Sequence, residues 1–470
     1  MSTYKTTVGL EVHAELKTKS KMFCGCKNNP HEGEPNAHVC PVCMAHPGTL
    51  PTINKEAVLS LLKMGTAIGG TLAEFSEFDR KNYFYPDIPK AYQISQYKFP
   101  FVTGGEIAGV QITRVHLEED TARSVHDQGD KSLVDFNRAG VPLLELVTEP
   151  VIHTPEEAGR FAKELQLLLR TLGISDANME KGEMRVEANI SVSTTDTFGT
   201  KVEVKNINSF KAVEGAIAYE VKRHIEVLEG GGTIVQETRG WDETKSKTFS
   251  QRVKETSEEY RYFPDPDLPK FVRSEVPEFS DSRIADITAK NPALLRAELT
   301  KVGLSENQIE IIISIPEWKV FFDKVLTATE GKVEPKLVGN YFANDLIALI
   351  SGASRVIADA SVDSFAELLV MLAEGVLTSR VVKDLLPEVV FEAKSPRVIA
   401  KERGLLQDNS SDSLRIVVQD VIAQNNAVVQ EYKAGKTASI QFLVGQCMKA
   451  TKGSGNPGIL TQLLTEELSK

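Results

Sequence analysis

Apolar and polar residues alternate along two segments in the first half of the chain. In "TVGLEVHAEL" (7–16) apolar residues fall on every second position, and "EMRVEANISV" (183–192) repeats the pattern. A period of two is typical of a β-strand with one face in the core. The polar residues of the first strand, Glu11, His13 and Glu15, are therefore expected to share one face of a sheet.

Two helix patterns flank the second strand. "TPEEAGRFAKELQLLLRTLG" opens with a capping box of Thr154 and Glu157, has Pro155 in its first turn and ends at Gly173. A second helix is predicted over about 209–228, and three consecutive glycines end it. Long strands separated by few helices predict an α+β domain built on an antiparallel sheet.

Helical periodicity dominates from about residue 290 onward, and strand alternation disappears there. A polar, turn-rich break falls at "RGLLQDNSSDS" (403–413). These changes predict three parts: an α+β domain over 1–290, an all-α domain over 291–405 and a small helical tail over 406–470.

Composition and charge limit the class of protein. A chain of 470 residues is too long for one core, and 41% hydrophobic with 25% charged residues is ordinary for globular domains. The net charge of −11 argues against a protein that coats nucleic acid non-specifically, but a local basic patch remains compatible with it. The chain shows no signal-peptide pattern and no apolar run of membrane-spanning length, so we expect a cytoplasmic protein with no membrane partner.

Four of the five cysteines lie within "FCGCKNNPHEGEPNAHVCPVC" (23–43). Cys24 and Cys26 form a C-x-C pair, and Cys40 and Cys43 form a C-x-x-C pair. In the cytoplasm such pairs are typical of a tetrahedral zinc site, with four free thiols as the alternative. A site closed by four thiolates leaves no position for water or substrate, so we expect this zinc to be structural.

Acidic residues on the predicted strands are candidates for a second site. The row of Glu11, His13 and Glu15 could bind a hard cation, or it could be the polar outer face of a sheet. Glu145 lies within the apolar strand "VPLLELV", where a buried carboxylate must be paired, protonated or bound to metal. A structural ion pair, for example with Arg138, is the alternative for Glu145.

Two further segments carry basic residues in settings that suit phosphate. "FDRKNYFYPDIPKAYQISQ" (78–96) places Lys81 and Lys90 among aromatic residues, which suits a nucleotide or a nucleic-acid end. A core-packing loop with surface lysines is the alternative. Lys205 and Asn206 lie where a strand leads into a helix, which is either a phosphate site or a simple helix cap. The sequence contains no P-loop.

The tail concentrates positive charge. From Tyr432 to Leu464 there is no acidic residue, although the whole chain is acidic. The lysines of this stretch are Lys433, Lys436, Lys449 and Lys452. They suit a phosphate backbone, with a chance solvated face as the alternative.

Several of these segments together resemble one family. They are "VGLEVHAEL", "FDRKNYFYPDIPKAYQISQ", "HLEEDTA", "DFNRAGVPLLELV", "KNINSF", "YRYFPDPDLP" and "FLVGQCMKATKG". In this order they resemble the B subunit of bacterial glutamyl/aspartyl-tRNA amidotransferase, and the resemblance covers essentially the whole chain.

The resemblance implies an activity and its partners. The enzyme converts misacylated Glu-tRNA(Gln) or Asp-tRNA(Asn) to the amidated product. The B subunit uses ATP and Mg²⁺ to phosphorylate the side-chain carboxylate, and ammonia from a glutaminase A subunit then displaces the phosphate. A small C subunit completes a heterotrimer. The first domain is the family's catalytic cradle, and the helical domain and a YqeY-like tail hold the tRNA.

The resemblance also implies roles for single residues. Those at the family's Mg²⁺ positions are Glu11, His13, Glu119 and Glu145, with Glu118 and Glu15 as secondary candidates. Glu119 is also a candidate for the exit of an ammonia channel. Lys81 and Lys90 would line the ammonia path or bind phosphate. Those expected to face ATP and the acceptor end are Arg185, Asn189, Lys205 and Asn206. Glu187 stands where the family usually has Asp, so its role as a direct ligand is in doubt.

Two other functions remain as alternatives. A non-catalytic, zinc-stapled tRNA-binding scaffold would need the tail lysines but not Glu11, His13 or Glu145. A free-standing ligase that joins a small carboxylate and an amine would leave the tail without a role. The choice between Gln-tRNA and Asn-tRNA as the product depends on the synthetases of the cell.

Overall fold

A computed structural model describes residues 4–253, 260–407, 411–451 and 453–469. The chain divides into two compact units, Met1–Leu294 and Leu295–Lys470. The first unit is a mixed sheet with helices, and the second is helical. The predicted fold class, an α+β domain followed by a helical region, is confirmed.

The strands of the first unit are concentrated before residue 280. They are β1 (Lys5–Glu15), β2 (Thr71–Leu72), β3 (Phe75–Ser76), β4 (Asp79–Asn82), β5 (Tyr92–Ser95), β6 (Val102–Thr103), β7 (Glu106–Ile107), β8 (Val110–Glu119), β9 (Arg123–Gln128), β10 (Lys131–Asp135), β11 (Pro142–Thr148), β12 (Met184–Ser193), β13 (Val202–Ile207), β14 (Glu237–Asp242), β15 (Lys247–Val253), β16 (Phe263–Pro264) and β17 (Phe271–Val272).

One large sheet dominates this unit. Its strand order is β15-β14-β13-β12-β1-β11-β8-β6-β2, with β7 also paired to β8. The strand pairs are antiparallel except for β13 and β14, which run parallel. The expectation of an antiparallel sheet therefore holds over most of the sheet. The segment between β13 and β14 contains a helix, and such a crossover allows the one parallel pair.

In the described part of the first unit, four α-helices lie wholly within it: α1 (Lys55–Ala67), α2 (Pro155–Thr171), α3 (Phe210–Glu229) and α4 (Asp281–Ile287). The predicted capping box of α2 is present, because Thr154 accepts from the backbone of Glu157 and Glu157 bonds back to Thr154. Ser209 caps α3, which ends at Gly230 as expected. These helices bury one face of the sheet in a continuous apolar core, which fixes which side chains of β1 remain on the opposite face.

The remaining helices are α5 (Pro292–Lys301), α6 (Glu306–Ile313), α7 (Pro316–Ala328), α8 (Pro335–Asn340), α9 (Ile347–Gly352), α10 (Val362–Ala373), α11 (Ser379–Phe391), α12 (Pro396–Glu402), α13 (Ser411–Gln424), α14 (Asn426–Lys433), α15 (Ser439–Ala450) and α16 (Pro457–Leu468). Helices α13 to α16 share their own apolar cluster. A boundary near 405 between a helical domain and a tail stays a prediction. Within the described part of the chain, no helix is both long and apolar enough to cross a bilayer.

Candidate active site and metal centres

The central strands of the sheet bring charged side chains into one row. His13 on β1 lies opposite Glu145 on β11 and opposite Arg185 on β12. Glu145 in turn lies opposite His116 on β8. Directly opposed residues of antiparallel strands point to the same face, so four separate segments contribute to one surface.

His13 is the centre of a carboxylate–histidine cluster. Its Nε2 atom lies 3.4 Å from Glu145 Oε2, 3.5 Å from Glu118 Oε1 and 3.9 Å from Glu11 Oε1. Two sets of potential ligand atoms lie within 4.8 Å of one another, His13 with Glu118 and Glu145, and His13 with Glu11 and Glu187. Carboxylate oxygens with one imidazole nitrogen can hold a divalent cation here.

Crowding of negative charge changes the protonation of this cluster. Burial, and then the charges of Glu145 and Glu187, raise the pKa of Glu11 to about 7. Burial alone would lower the pKa of His13, but its contact with Glu145 and the nearby carboxylates raise it to about 9. Burial likewise opposes ionisation of Glu145, yet His116 and His13 hold its pKa well below the ordinary value. A bound cation would relieve the same repulsion that these protons relieve.

The two successive glutamates at the end of β8 face different surroundings. Glu118 faces His13, and its Oε2 accepts from the Ser95 hydroxyl at 3.2 Å. Glu119 points to the other side, where its Oε2 lies 2.6 Å from Lys90 Nζ and its Oε1 accepts from the Ile94 backbone at 3.0 Å. Neighbouring strand residues alternate between faces, so the structure brings Glu118, the secondary candidate, to His13 and does not bring Glu119 there.

Lys81 on β4 is influenced by the charge of the carboxylate cluster, whereas Lys90 is bound to Glu119. Burial alone would lower the pKa of Lys81, but the charges of Glu118 and Glu145, with the neighbouring tyrosines, raise it well above its ordinary value. Its Nζ lies 5.2 Å from the ring centre of Tyr260 and 5.9 Å from that of Tyr83. Cation–π contacts with these two rings therefore stabilise the charged form of Lys81.

The residues expected to face ATP are spread along β12 and β13. Arg185 is bound to Asp120 at 2.9 Å, and Lys205 is bound to Glu187 at 2.7 Å. The buried Oδ1 of Asn189 has no hydrogen-bond partner among the described atoms. Asn206 lies on β13, but its side chain is outside the described part of the chain. Glu187, which stands where the family usually has Asp, also reaches the cluster, since its carboxylate oxygen lies within 4.8 Å of ligand atoms of Glu11 and His13.

Two residues of this site were missed in the sequence. His116 Nε2 lies 3.3 Å from Glu145 Oε2, and Arg114 Nη2 lies 3.7 Å from Glu145 Oε1. The alternation of Arg114, His116 and Glu118 in "ITRVHLEED" was the available signal, because it repeats the pattern of β1. The suggested ion pair between Glu145 and Arg138 is wrong. Arg138 lies 3.6 Å from Asp120 instead, because Asp120 directly follows β8 and Arg138 comes shortly before β11, the strand that pairs with β8.

The four cysteines form a second centre. The Sγ atoms of Cys24, Cys26, Cys40 and Cys43 lie within 4.8 Å of one another and could hold a metal ion. A hydrogen bond from Cys24 is the main cause that lowers the pKa of Cys43 to about 5, and the backbone of Cys40 and the charge of Lys21 add to it. Lys21 is fully buried, and its Nζ lies 4.0 Å from Cys43 Sγ. The surroundings thus favour thiolate, the form that binds metal, at Cys43. The pKa of Cys24 is raised by its hydrogen bond with Cys43, and burial raises the pKa of Cys26 to about 11, so without a cation the negative charge is concentrated on Cys43.

A cavity of about 300 Å³ lies beside both this centre and the Glu119–Lys90 pair. Its lining includes Cys24 and Cys43 as well as Lys90 and Glu119. Gly140 also lines the cavity, and its carbonyl accepts from the Met22 backbone at 2.7 Å, close to the cysteines in the sequence. The cysteine loop is therefore joined by its first residues to the segment that leads into β11.

Among the tail lysines, Lys433 lies on α14, Lys449 lies on α15, and Lys436 lies in the connection between these helices. Lys433, Lys436 and Lys449 are exposed, and Lys436 Nζ lies 2.9 Å from Glu431. Lys452 lies outside the described residues. Exposed lysines on one short segment are compatible with contacts to phosphate.

Two protein-family models match the chain. One, described as the GatB/GatE catalytic domain, matches residues 6–276. The other, described as a GatB domain, matches residues 320–468. The first match contains both candidate metal centres, and the second contains the tail lysines.

Whole proteins named as the B subunits of aspartyl/glutamyl-tRNA(Asn/Gln) amidotransferases are similar over their full length. The protein of Caldanaerobacter subterraneus subsp. tengcongensis is 44% identical over 479 residues, which cover 99% of this chain and 100% of that protein. That of Brevibacillus brevis is 42% identical over 100% of both chains, and that of Gloeothece citriformis is 40% identical over 99% of this chain and 98% of its own length. These matches confirm the resemblance drawn from the motifs: the chain belongs to the family of the aspartyl/glutamyl-tRNA(Asn/Gln) amidotransferase B subunits.

Proposed function

We propose that this chain is the component of a tRNA-dependent amidotransferase that activates the side-chain carboxylate of Glu-tRNA(Gln) or Asp-tRNA(Asn). An oxygen of that carboxylate attacks the γ-phosphorus of ATP, and ADP leaves. Ammonia then attacks the acyl carbon of the resulting acyl phosphate, and inorganic phosphate leaves. The product is Gln-tRNA(Gln) or Asn-tRNA(Asn). The names of the full-length relatives support this assignment.

The observation that carries the proposal is the convergence of Glu118, Glu145 and His13 beside Lys81. The reaction joins two anions, so the site must offset their repulsion. When bound, Mg²⁺ would neutralise charge that develops on the phosphoryl oxygens. Glu11, His13, Glu118 and Glu145 have the oxygen-rich donor set that such an ion prefers.

The lysines and polar residues around this cluster would bind the anionic substrates. Lys81 is held on the cluster's face and can contact a phosphate oxygen. Arg185, Asn189 and Lys205 lie along β12 and β13 beside the cluster, and the unpaired Oδ1 of Asn189 offers an acceptor for a substrate hydroxyl or amine. Asn206, on β13, stays a candidate for binding ATP or the acceptor end of the tRNA.

Lys90 and Glu119 lie on the other face, where a buried polar pair borders a cavity. We assign them to the path by which ammonia from a glutaminase A subunit reaches the acyl phosphate. Glu119 would accept a proton from ammonium that enters this path, and Lys90 would balance the charge of the Glu119 carboxylate. A direct magnesium contact from Glu119 is not part of this assignment, because its carboxylate is committed to Lys90 and the Ile94 backbone.

The cysteine centre would hold a structural zinc ion. Four thiolates satisfy a tetrahedral ion completely, so it has no open position for substrate. The tail lysines would contact the tRNA backbone, and a small C subunit would complete the heterotrimer with the A subunit. A catalytic cradle over 1–290, a helical domain over 291–405 and a YqeY-like tail over 406–470 are the domains we assign to these roles.

The deciding experiment uses the complex of this chain with A and C subunits and misacylated tRNA. Glu145→Gln should abolish ATP-dependent transamidation while tRNA binding stays unchanged. Glu149→Gln is the matched control, because Glu149 is a partly exposed neighbour whose Oε1 accepts from the Thr113 hydroxyl at 2.7 Å, outside the cluster. Unchanged turnover in Glu145→Gln would support the scaffold alternative instead. Full ATP hydrolysis in the absence of tRNA would support a free-standing ligase.

A further inference from the structure

His116 is a buried histidine that touches the candidate metal site from outside. It is 2% exposed and lies on β8 directly opposite Glu145. Its Nε2 lies 3.3 Å from Glu145 Oε2, the same oxygen that His13 Nε2 approaches to 3.4 Å. The Glu145 carboxylate is therefore enclosed between two imidazole rings from the two strands beside it.

His116 and His13 differ in the potential metal ligands that surround them. His13 shares both sets of clustered ligand atoms, whereas His116 belongs to neither set among the described residues. Within that part of the chain, Glu145 is also the one carboxylate at ion-pair distance from His116. His116 therefore contacts the candidate ligand Glu145 but is not itself one of the clustered ligands.

Arg114 completes the enclosure on the same strand. Its Nη2 lies 3.7 Å from Glu145 Oε1, so each carboxylate oxygen has a partner on β8. The Nδ1 atom of His116 and the Nε atom of Arg114 are buried without a described partner. A buried nitrogen atom without a hydrogen-bond partner costs free energy. Because each side chain nevertheless directs another nitrogen atom towards Glu145, we infer that the contact with Glu145 determines where these side chains lie.

We propose that His116 is a positioning residue that holds Glu145 in the one orientation in which it can ligate the cation bound with His13 and Glu118. Arg114 steadies the second oxygen. The proposal rests on the proposed function, because it assumes that the cation binds at this cluster. Groups that orient a metal ligand from outside typically contribute about 10- to 100-fold to metal affinity, whereas loss of packing alone lowers stability without a specific effect on the metal.

The test replaces His116 by two amides of different length in the full chain, assembled with its partner subunits. Gln can bring an amide nitrogen close to the place of Nε2, and Asn cannot reach it. Mn²⁺ serves as the probe, since its binding is read directly from the loss of the free-ion signal in electron paramagnetic resonance. The Mg²⁺ concentration for half-maximal ATP-dependent transamidation is the second readout.

We expect His116→Asn to weaken Mn²⁺ binding about 10-fold or more, and His116→Gln to stay within about 3-fold of the unsubstituted chain. His224→Ala is the matched control: His224 is also fully buried, and its Nε2 lies 3.2 Å from Glu220 Oε2, away from either metal centre. It should lower the melting temperature and leave Mn²⁺ affinity unchanged.

The outcomes separate this inference from the function on which it rests. If Glu145→Gln does not reduce Mn²⁺ binding, the cluster is not the metal site and the proposed function fails. If Glu145→Gln abolishes binding but His116→Asn and His116→Gln bind equally well or equally poorly, only the positioning role is overturned. Equal weakening in His224→Ala would also overturn it, because the effect would then be general destabilisation.

Discussion

The carboxylate–histidine cluster and the four-cysteine centre lie in the same compact unit but are assembled in different ways. The cysteines come from one loop of about twenty residues, and the cluster comes from β1, β8, β11 and β12. The cysteine centre has four sulfur donors, which fill the coordination sphere of a tetrahedral ion. The cluster has mixed donors, with Lys81 and Arg114 beside them. The first arrangement suits stability and the second suits chemistry on an anion.

Replacing His13 tests the chemical half of this comparison and has the largest expected effect. His13→Ala removes the side chain that contacts Glu11, Glu118 and Glu145. We expect transamidation to fall by about 10²- to 10³-fold, the usual cost of a group that stabilises charge in a transition state. Steady-state rates with ATP and misacylated tRNA measure it. A loss smaller than about 5-fold would place the chemistry elsewhere.

Replacing Lys90 tests the buried ion pair that lines the same cavity as the cysteine centre. Lys90→Met leaves Glu119, a buried carboxylate, without its cation, and should lower the free energy of unfolding by about 3 kcal/mol. The double variant with Glu119→Gln should recover most of that loss, because no buried charge is then unpaired. Denaturant unfolding of the three proteins measures both effects. No recovery in the double variant would mean that Lys90 acts by packing and not by charge.

Removing a cysteine tests the structural half. Cys24→Ser should lower the melting temperature by roughly 5–10 °C, which corresponds to about 2–3 kcal/mol in a unit of this size. The maximal rate at low temperature should fall by less than about 3-fold, because no cysteine belongs to the carboxylate–histidine cluster. Calorimetry and initial rates on one preparation give both numbers. A rate loss as large as that of His13→Ala would remove the distinction between the centres.

The tail lysines should give the smallest effect. Lys433→Ala and Lys449→Ala each remove one exposed charge. We expect KM for tRNA to rise about 2- to 4-fold, the dependence of binding on salt to weaken, and KM for ATP to stay the same. Lys394→Ala, on the helical unit outside the tail and already bound to Glu388, is a matched control. An equal effect in the control would argue against a tRNA surface in the tail.

Local features were predictable from the sequence, and features that depend on strand register were not. The capping box of α2 and the cysteine pairs are defined within a few residues, so their spacing was enough. The shared face of Glu11 and His13 followed from a period of two. Which of Glu118 and Glu119 faces His13 depends on how β8 pairs with β11, and the chain alone does not state that register.

The same reason explains why the partner suggested for Glu145 was wrong. A buried carboxylate needs a partner, and Arg138 was near in the sequence, but the sheet places His13, His116 and Arg114 around Glu145 instead. Arg138 lies before the start of β11 and meets Asp120. Requirements for a partner can therefore be read from the sequence, whereas the identity of the partner requires the sheet.

The central claim is that one unit holds two metals with separate roles, and metal content measured with binding tests it most directly. Purified Glu145→Gln and Cys24→Ser proteins are analysed for zinc by elemental analysis and for Mn²⁺ binding by electron paramagnetic resonance. We predict that Glu145→Gln retains one zinc and loses the Mn²⁺ site, and that Cys24→Ser loses zinc and retains the Mn²⁺ site. Loss of both metals in either variant, or retention of both in both variants, would contradict the claim.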